Sequence, residues 1–72
     1  LHKALFAMRD ADTRDVAELK ALGTHILDVD RVDYLEVVDA VTLQPLTTVD
    51  RPARALVAAF VGPTRLIDNV GL

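Results

Sequence analysis

The residues of this chain that could take part in acid–base or metal chemistry are few and widely spaced. The two histidines, His2 and His25, fall in separate predicted helices, and neither has the cluster of acidic ligands that a metal site needs. The absence of serine excludes a Ser-His-Asp nucleophile. Gly23, Gly62 and Gly71 are too far apart to form a phosphate-binding loop. We therefore expect no catalytic, cofactor-binding or metal-binding residue in this chain.

Two groups of carboxylates resemble sites only superficially. Asp28, Asp30 and Asp33 lack the glycine and the distal glutamate of a calcium loop, so we expect a solvated turn. Glu36 and Asp39 are three residues apart in a predicted strand, where they point to opposite faces. They are therefore not expected to share a proton or a metal ion.

Polar residues also interrupt the last apolar segment of the chain. Arg65, Asp68 and Asn69 lie among leucine, isoleucine and valine. Arg65 and Asp68 project to opposite faces of a strand, so a direct pair between them is not expected. We predict instead that Asp68 forms a salt bridge to a neighbouring strand or domain.

Two amphipathic helices are predicted in the first part of the chain. Leu1 to Ala11 has apolar residues at helical spacing, and Asp12 or Thr13 is the expected N-cap of the second helix. The apolar stripe of that helix consists of Val16, Leu19, Leu22, Gly23 and Ile26. Gly23 marks either a close helix contact or an early helix end.

The second half of the chain is predicted to form three strands. The first is Arg31 to Asp39, and a structured connection to Leu46 follows, with Leu43 and Leu46 expected to contact the core. Residues 47–52 are expected to be the most exposed and mobile stretch. Arg54 to Val61 is apolar on both faces, which predicts a central strand covered on both sides.

Gly62, Pro63 and Thr64 turn the chain into a third strand, Arg65 to Val70, which makes an antiparallel hairpin. The predicted fold class is therefore α+β, with two helices packed on a small, mostly antiparallel, three-stranded sheet. Helices on one side leave the other sheet face uncovered, and that face carries either Val57 and Ala59 or the opposite set. A partner domain or a second copy is expected there.

Composition bounds the function further. The chain has 72 residues, which is one small domain at most, and no cysteine. Its hydrophobic fraction is 51%, which is high for a small domain and favours an apolar face covered by another domain or copy. The net charge is −3 and the basic residues are scattered, which disfavours nucleic-acid binding.

The longest apolar run, Ala55 to Val61, is far shorter than the ~20 residues that a membrane helix needs. No signal-peptide pattern occurs, and a cytoplasmic location is expected. The chain starts with Leu1 inside a helical pattern, so we expect a fragment of a longer protein.

Three motifs of the second half resemble the C-terminal end of the pantothenate synthetase (pantoate–β-alanine ligase) family. They are Asp33-Tyr34-Leu35-Glu36-Val37, then Thr42-Leu43 with Pro45, and then Gly62 followed by Arg65-Leu66-Ile67-Asp68-Asn69. The resemblance covers Val32 to Val70, whereas the helical part fits only loosely.

The resemblance implies a two-domain enzyme that condenses pantoate with β-alanine through a pantoyl adenylate, using ATP with Mg²⁺. A Rossmann-like N-terminal domain would hold an HxGH-type motif and the substrate sites, and a KMSKS-like loop would lie at the domain junction. None of these motifs occurs in this chain, so the resemblance places no site residue here. It implies that residues 1–72 are a C-terminal lid that is inactive alone.

Two other interpretations remain open. The chain could be a non-catalytic, self-associating module that forms a homodimer through the uncovered face or the edge strands. An independent small-molecule binding domain is the third, and it lacks any convergent polar cluster.

Overall fold

The computed structural model describes all of residues 1–72. The elements are α1 (His2–Asp10), α2 (Val16–Ile26), β1 (Arg31–Asp39), β2 (Ala53–Val61) and β3 (Thr64–Gly71). Both strand pairs are antiparallel, and β2 lies between β1 and β3. The two helices pack on one face of this sheet, so the predicted α+β fold is confirmed.

Helix α2 begins later than the sequence suggested, and the predicted caps Asp12 and Thr13 are wrong. Asp15 is the N-cap, and its carboxylate accepts the Glu18 N–H at 3.1 Å. The Thr13 hydroxyl accepts the Asp15 N–H and donates to the Glu18 carboxylate. Thr13 therefore supports the cap without being the cap.

Non-local hydrogen bonds explain the late start of α2. The Val16 N–H donates to the Thr47 carbonyl at 3.0 Å, and the Arg14 carbonyl accepts the Val49 N–H at 2.8 Å. These bonds hold the residues before α2 in an extended conformation against the segment before β2. That segment is exposed apart from Val49, which packs against the core, but residues 41–45 and 61–67 are exposed throughout, so the prediction that residues 47–52 are the most exposed stretch is wrong.

Gly23 lies inside α2 and marks a close contact rather than a helix end. It is buried against α1 and β1, where a Cβ would lie 2.6 Å from Met8 Sδ and 3.0 Å from Leu35 Cδ2. The absence of a side chain therefore lets α2 approach its neighbours closely.

The connection after β1 is held by one carboxylate together with backbone hydrogen bonds, such as that from the Leu46 N–H to the Val37 carbonyl. Asp39 accepts the N–H of Val41 at 2.8 Å and of Thr42 at 3.0 Å, and the Thr42 hydroxyl accepts the Gln44 N–H. The turn places Leu43 at φ 62° with 61% of its surface exposed, so the prediction that Leu43 contacts the core is wrong. Leu46 does pack against the core, as predicted.

The β2–β3 hairpin has a two-residue turn. Val61 pairs with Thr64, and Gly62 has φ 58°. A positive φ at the first turn position followed by proline, which holds φ near −65°, fits a type II′ turn. The hairpin therefore forms where the sequence predicted it.

The core lies between the helices and one face of the sheet. It consists of Leu5, Met8, Val16, Leu19, Leu35, Val37, Ala53, Ala55 and Val57. The opposite face, called the open face below, carries the alternate residues Tyr34, Glu36, Val38, Arg54, Leu56, Ala58, Phe60, Arg65, Ile67 and Asn69, with Arg31 and Asp33 at one end. β2 is central, as predicted, but helices cover only one of its faces.

Candidate functional site

The open face is the best candidate for a functional surface, because it combines apolar side chains with unevenly distributed charge. Ala58 and Val38 are buried by their neighbours, whereas Tyr34, Leu56 and Phe60 are half-buried. Ile67 on β3 is 63% exposed. The sequence left open which set of β2 residues faces outward, and the register assigns Leu56, Ala58 and Phe60 to that side.

The hairpin end of the open face carries two arginines around one aromatic ring. Arg31 and Arg65 both lie opposite Phe60 in the register. The Arg31 guanidinium lies 4.3 Å from the centre of the Phe60 ring, a cation–π contact. Arg65 Nη2 lies 2.9 Å from Asp33 Oδ2, so this arginine reaches across β2 to β1.

The Arg65–Asp33 pair was not predicted from the sequence. The two residues are 32 positions apart and are brought together by the register and by a bulge between Val32 and Tyr34. Nothing in the local sequence indicates that bulge, so only the three-dimensional structure reveals the pair.

The other end of the open face also carries a paired and an unpaired cation. Lys20 reaches from α2 to Glu36, with Nζ 3.4 Å from the carboxylate oxygen. Arg54 donates to the side-chain oxygen of Asn69 at 2.7 Å and has no carboxylate partner. Exposed pairs of this kind contribute little to stability, typically about 0–1 kcal/mol.

Asp68 does not form the predicted salt bridge to a neighbouring strand. Its carboxylate accepts the Asn69 N–H at 2.8 Å, and its register partner is Val57, which pairs in turn with Leu35. No basic side chain therefore lies beside it in the sheet. A bridge to another domain stays a prediction.

The two histidines and the aspartates before β1 do not come together into a site. His2 is on α1, edge-on to Phe6 at 5.6 Å, and His25 is exposed near the end of α2. Asp30 accepts the Gly62 N–H, so it ties the start of β1 to the hairpin turn. No three histidine, aspartate or glutamate side chains come close enough to hold a metal ion.

Glu36 and Asp39 lie on opposite sides of β1, as predicted. Glu36 pairs with Lys20, whereas Asp39 organises the loop that follows the strand. The N–H groups of Thr42 and then Val41, and more weakly the charge of Arg51, hold the pKa of the Asp39 carboxyl below its ordinary value. This shift is explained by loop structure and requires no catalytic role.

One shallow depression lies between the start of α1 and the end of α2. Its volume is about 130 Å³, which is small beside the roughly 300–1,000 Å³ of typical ligand pockets. Its charged lining residues are Lys3 and Asp28. Neither helix of the chain has the length and apolar character needed to cross a membrane.

Comparison with known proteins gives a consistent result. Residues 1–71 match the family model described as pantoate-beta-alanine ligase. A pantothenate synthetase of Acidobacterium capsulatum is 48% identical over 71 residues, which cover 94% of this chain and 24% of that protein. One from Acidiphilium cryptum is 46% identical over an alignment of 76 positions, which covers 100% of this chain and 27% of that protein.

A solved structure agrees with these sequence matches. The crystal structure of pantothenate synthetase from Thermus thermophilus is similar, with a TM-score of 0.79 and 36% identity. The match covers 97% of this chain and 27% of that one. The chain thus spans about a quarter of the length of the relatives that it matches.

Proposed function

The chain belongs to the pantoate-beta-alanine ligase family, and from that premise we propose that it is the C-terminal lid domain of a pantothenate synthetase. The full-length enzyme, in the cytoplasm, would condense pantoate with β-alanine at the expense of ATP, which binds with Mg²⁺. Pantoate and ATP would give pantoyl adenylate and pyrophosphate, and the amine of β-alanine would then attack the acyl carbon, form the amide of pantothenate and release AMP. The catalytic groups would lie in a Rossmann-like N-terminal domain outside residues 1–72.

One observation carries this proposal. The match takes in nearly all of this chain but only about a quarter of each relative. No three histidine, aspartate or glutamate side chains of this chain lie close enough together to hold a metal ion, and its sequence has no serine or cysteine nucleophile. A contribution through shape, by covering the site, suits such a chain better than a contribution through catalytic groups.

Covering the adenylate would raise the yield of pantothenate. A closed site excludes water, and a reactive acyl adenylate in contact with water is lost by hydrolysis. Small domains that close over a substrate are a common means of achieving this exclusion. In this proposal the two helices and the sheet move together as a unit, and their contribution is to keep water away from the intermediate until β-alanine attacks.

The test compares the full-length enzyme, the same enzyme without residues 1–72, and these residues alone. We expect the full-length enzyme to release one AMP for each pantothenate formed. The shortened enzyme should release AMP in excess, because unprotected adenylate is hydrolysed. The isolated residues should form no pantothenate.

Two outcomes would contradict the proposal. Appreciable pantothenate formation by residues 1–72 alone would show that the chain holds catalytic groups. Equal release of AMP and pantothenate by the shortened enzyme, at an unchanged rate, would show that no lid is needed.

A further inference from the structure

We infer that the open face of the sheet docks on an apolar surface bearing carboxylates in the rest of the same polypeptide, and not on a second copy of this chain. The inference rests on the proposed function and deepens it, because it names the surface by which the lid meets its enzyme. It follows from the exposure, charge and pairing of the open-face residues.

The fold leaves several apolar side chains of the open face without cover. On the helix side the central residues Val37, Ala55 and Val57 are completely excluded from solvent. Near the hairpin end of that side, Val32, Val61 and Leu66 stay 37–47% exposed. On the open face, Ile67 is 63% exposed, and Phe60 and Leu56 are half-buried. Apolar side chains grouped on one flat face are typical of interaction surfaces.

Two guanidinium groups on the open face have no acidic partner. Of the two carboxylates on the open face, Asp33 is engaged by Arg65 at 2.9 Å and Glu36 by Lys20 at 3.4 Å. Arg31 lies over the Phe60 ring and Arg54 donates to the side-chain oxygen of Asn69, and neither forms a salt bridge. The open face is therefore locally cationic on a chain of net charge −3.

This charge distribution distinguishes between the two candidate partners of the open face, a second copy and the rest of the polypeptide. In a two-fold dimer, each patch meets its own copy. Arg31 and Arg54 of one copy would then approach the arginines of the other, and no free carboxylate would be present. Arginines taken out of water without partners are costly, so face-to-face pairing of two copies is disfavoured.

The rest of the polypeptide is the occupant that can supply both an apolar surface and carboxylates for the unpaired arginines. The relatives are about four times as long as the matching segment, so the proposed full-length enzyme offers a large partner surface within the same polypeptide. A partner with carboxylates opposite Arg31 and Arg54 would neutralise both cations while its apolar residues cover Phe60 and Ile67. Complementary charges of this kind also favour the correct orientation of docking.

The first experiment measures accessibility in the full-length enzyme with no other reactive cysteine. Ile67→Cys reports on the open face, and Thr24→Cys on the exposed surface of α2 is the matched control. We expect maleimide to modify the first thiol at least about tenfold more slowly than the second, most of all with ATP and pantoate bound, because a docked thiol is shielded. Equal labelling rates for the two thiols, both with and without ATP and pantoate, would overturn the inference.

The second experiment tests the charge requirement. Arg31→Glu in the Ile67→Cys enzyme should restore fast labelling, whereas Lys3→Glu, the same charge change at an exposed position on α1, should not. If Arg31→Glu fails to fold, Arg31→Gln serves with a smaller effect in the same direction. Unchanged labelling in a folded Arg31 variant would overturn the role of charge.

The remaining outcomes are also decisive. Oxidative cross-linking of two Ile67→Cys copies in high yield would identify a second copy as the occupant and refute the inference. The labelling rates do not depend on turnover. A shielded thiol in an enzyme that forms no pantothenate would therefore refute the proposed function while leaving the docking surface supported.

Discussion

Gly23 illustrates how a single residue sets the distance between elements. Alanine normally stabilises a helix interior by about 1 kcal/mol relative to glycine. Here the added Cβ would meet Met8 Sδ at 2.6 Å and Leu35 Cδ2 at 3.0 Å, and both side chains are buried. We expect Gly23→Ala to lower the free energy of unfolding by about 1–3 kcal/mol, as overpacking does. Urea unfolding of the chain measures this change.

Thr24→Ala provides the control for Gly23→Ala. Thr24 is the next residue of α2 and is exposed, so alanine there improves helix propensity without a clash. Its unfolding midpoint should stay level or rise slightly. A rise for both variants would show that α2 is not closely packed at Gly23.

The lowered pKa of the Asp39 carboxyl makes the stability of the fold depend on pH. Its carboxylate is stabilised in the folded chain by the N–H groups of Thr42 and Val41, so its pKa is lower folded than unfolded. The resulting stabilisation is present above the unfolded pKa and is lost as the pH falls through the folded value. We expect the urea midpoint to fall between about pH 5 and about pH 2, with part of that fall due to Asp39.

The variant Asp39→Asn isolates this contribution. Asparagine keeps an oxygen acceptor for the loop but does not titrate, so its midpoint should fall less steeply in acid. Asp28→Asn removes the same charge away from the loop. An equal slope for wild type and Asp39→Asn would refute the assignment.

Among the elements, the β2–β3 hairpin depends on the conformation of its turn. Gly62 has φ 58°, and no atom lies within 4 Å of a Cβ placed there, so only backbone strain opposes a side chain. We expect Gly62→Ala to cost about 1–2 kcal/mol in thermal or urea unfolding. Gly71→Ala is the control, since its φ is not positive and its Cβ would make an ordinary 3.7 Å contact with Arg54. Equal effects would show that the turn is unstrained.

The elements also show which parts of the fold are predictable. β1, the central position of β2 and the hairpin follow from local patterns of apolar residues and from Gly62-Pro63. The start of α2 does not, because hydrogen bonds to Thr47 and Val49 decide it. The outward position of Leu43 depends on the carboxylate of Asp39, which closes the turn and sets its path.

The open face was predictable only in part, for a similar reason. Alternation in β2 indicates two apolar faces but does not say which one the helices cover. The Arg65–Asp33 pair needs both the strand order and a bulge, which are properties of the assembled sheet. Local sequence therefore predicts that an uncovered face exists, and the tertiary structure supplies its charges.

At the scale of the whole molecule, the two layers bury few residues and leave the open face of the sheet uncovered. Only 14 of 72 residues are buried, so the chain has a single small core. A domain of this size has little stability to spare. Contact with a partner adds to the stability of the folded state. We therefore expect residues 1–72 to unfold at higher temperature within the proposed full-length enzyme than alone.

Tyr34 on the open face has an optical consequence. It is the only tyrosine of the chain, and tryptophan is absent. Near-ultraviolet fluorescence of residues 1–72 therefore comes almost entirely from one half-buried ring beside Ala58. A surface that covered this ring would alter the emission, so the chain carries its own spectroscopic reporter and needs no attached dye.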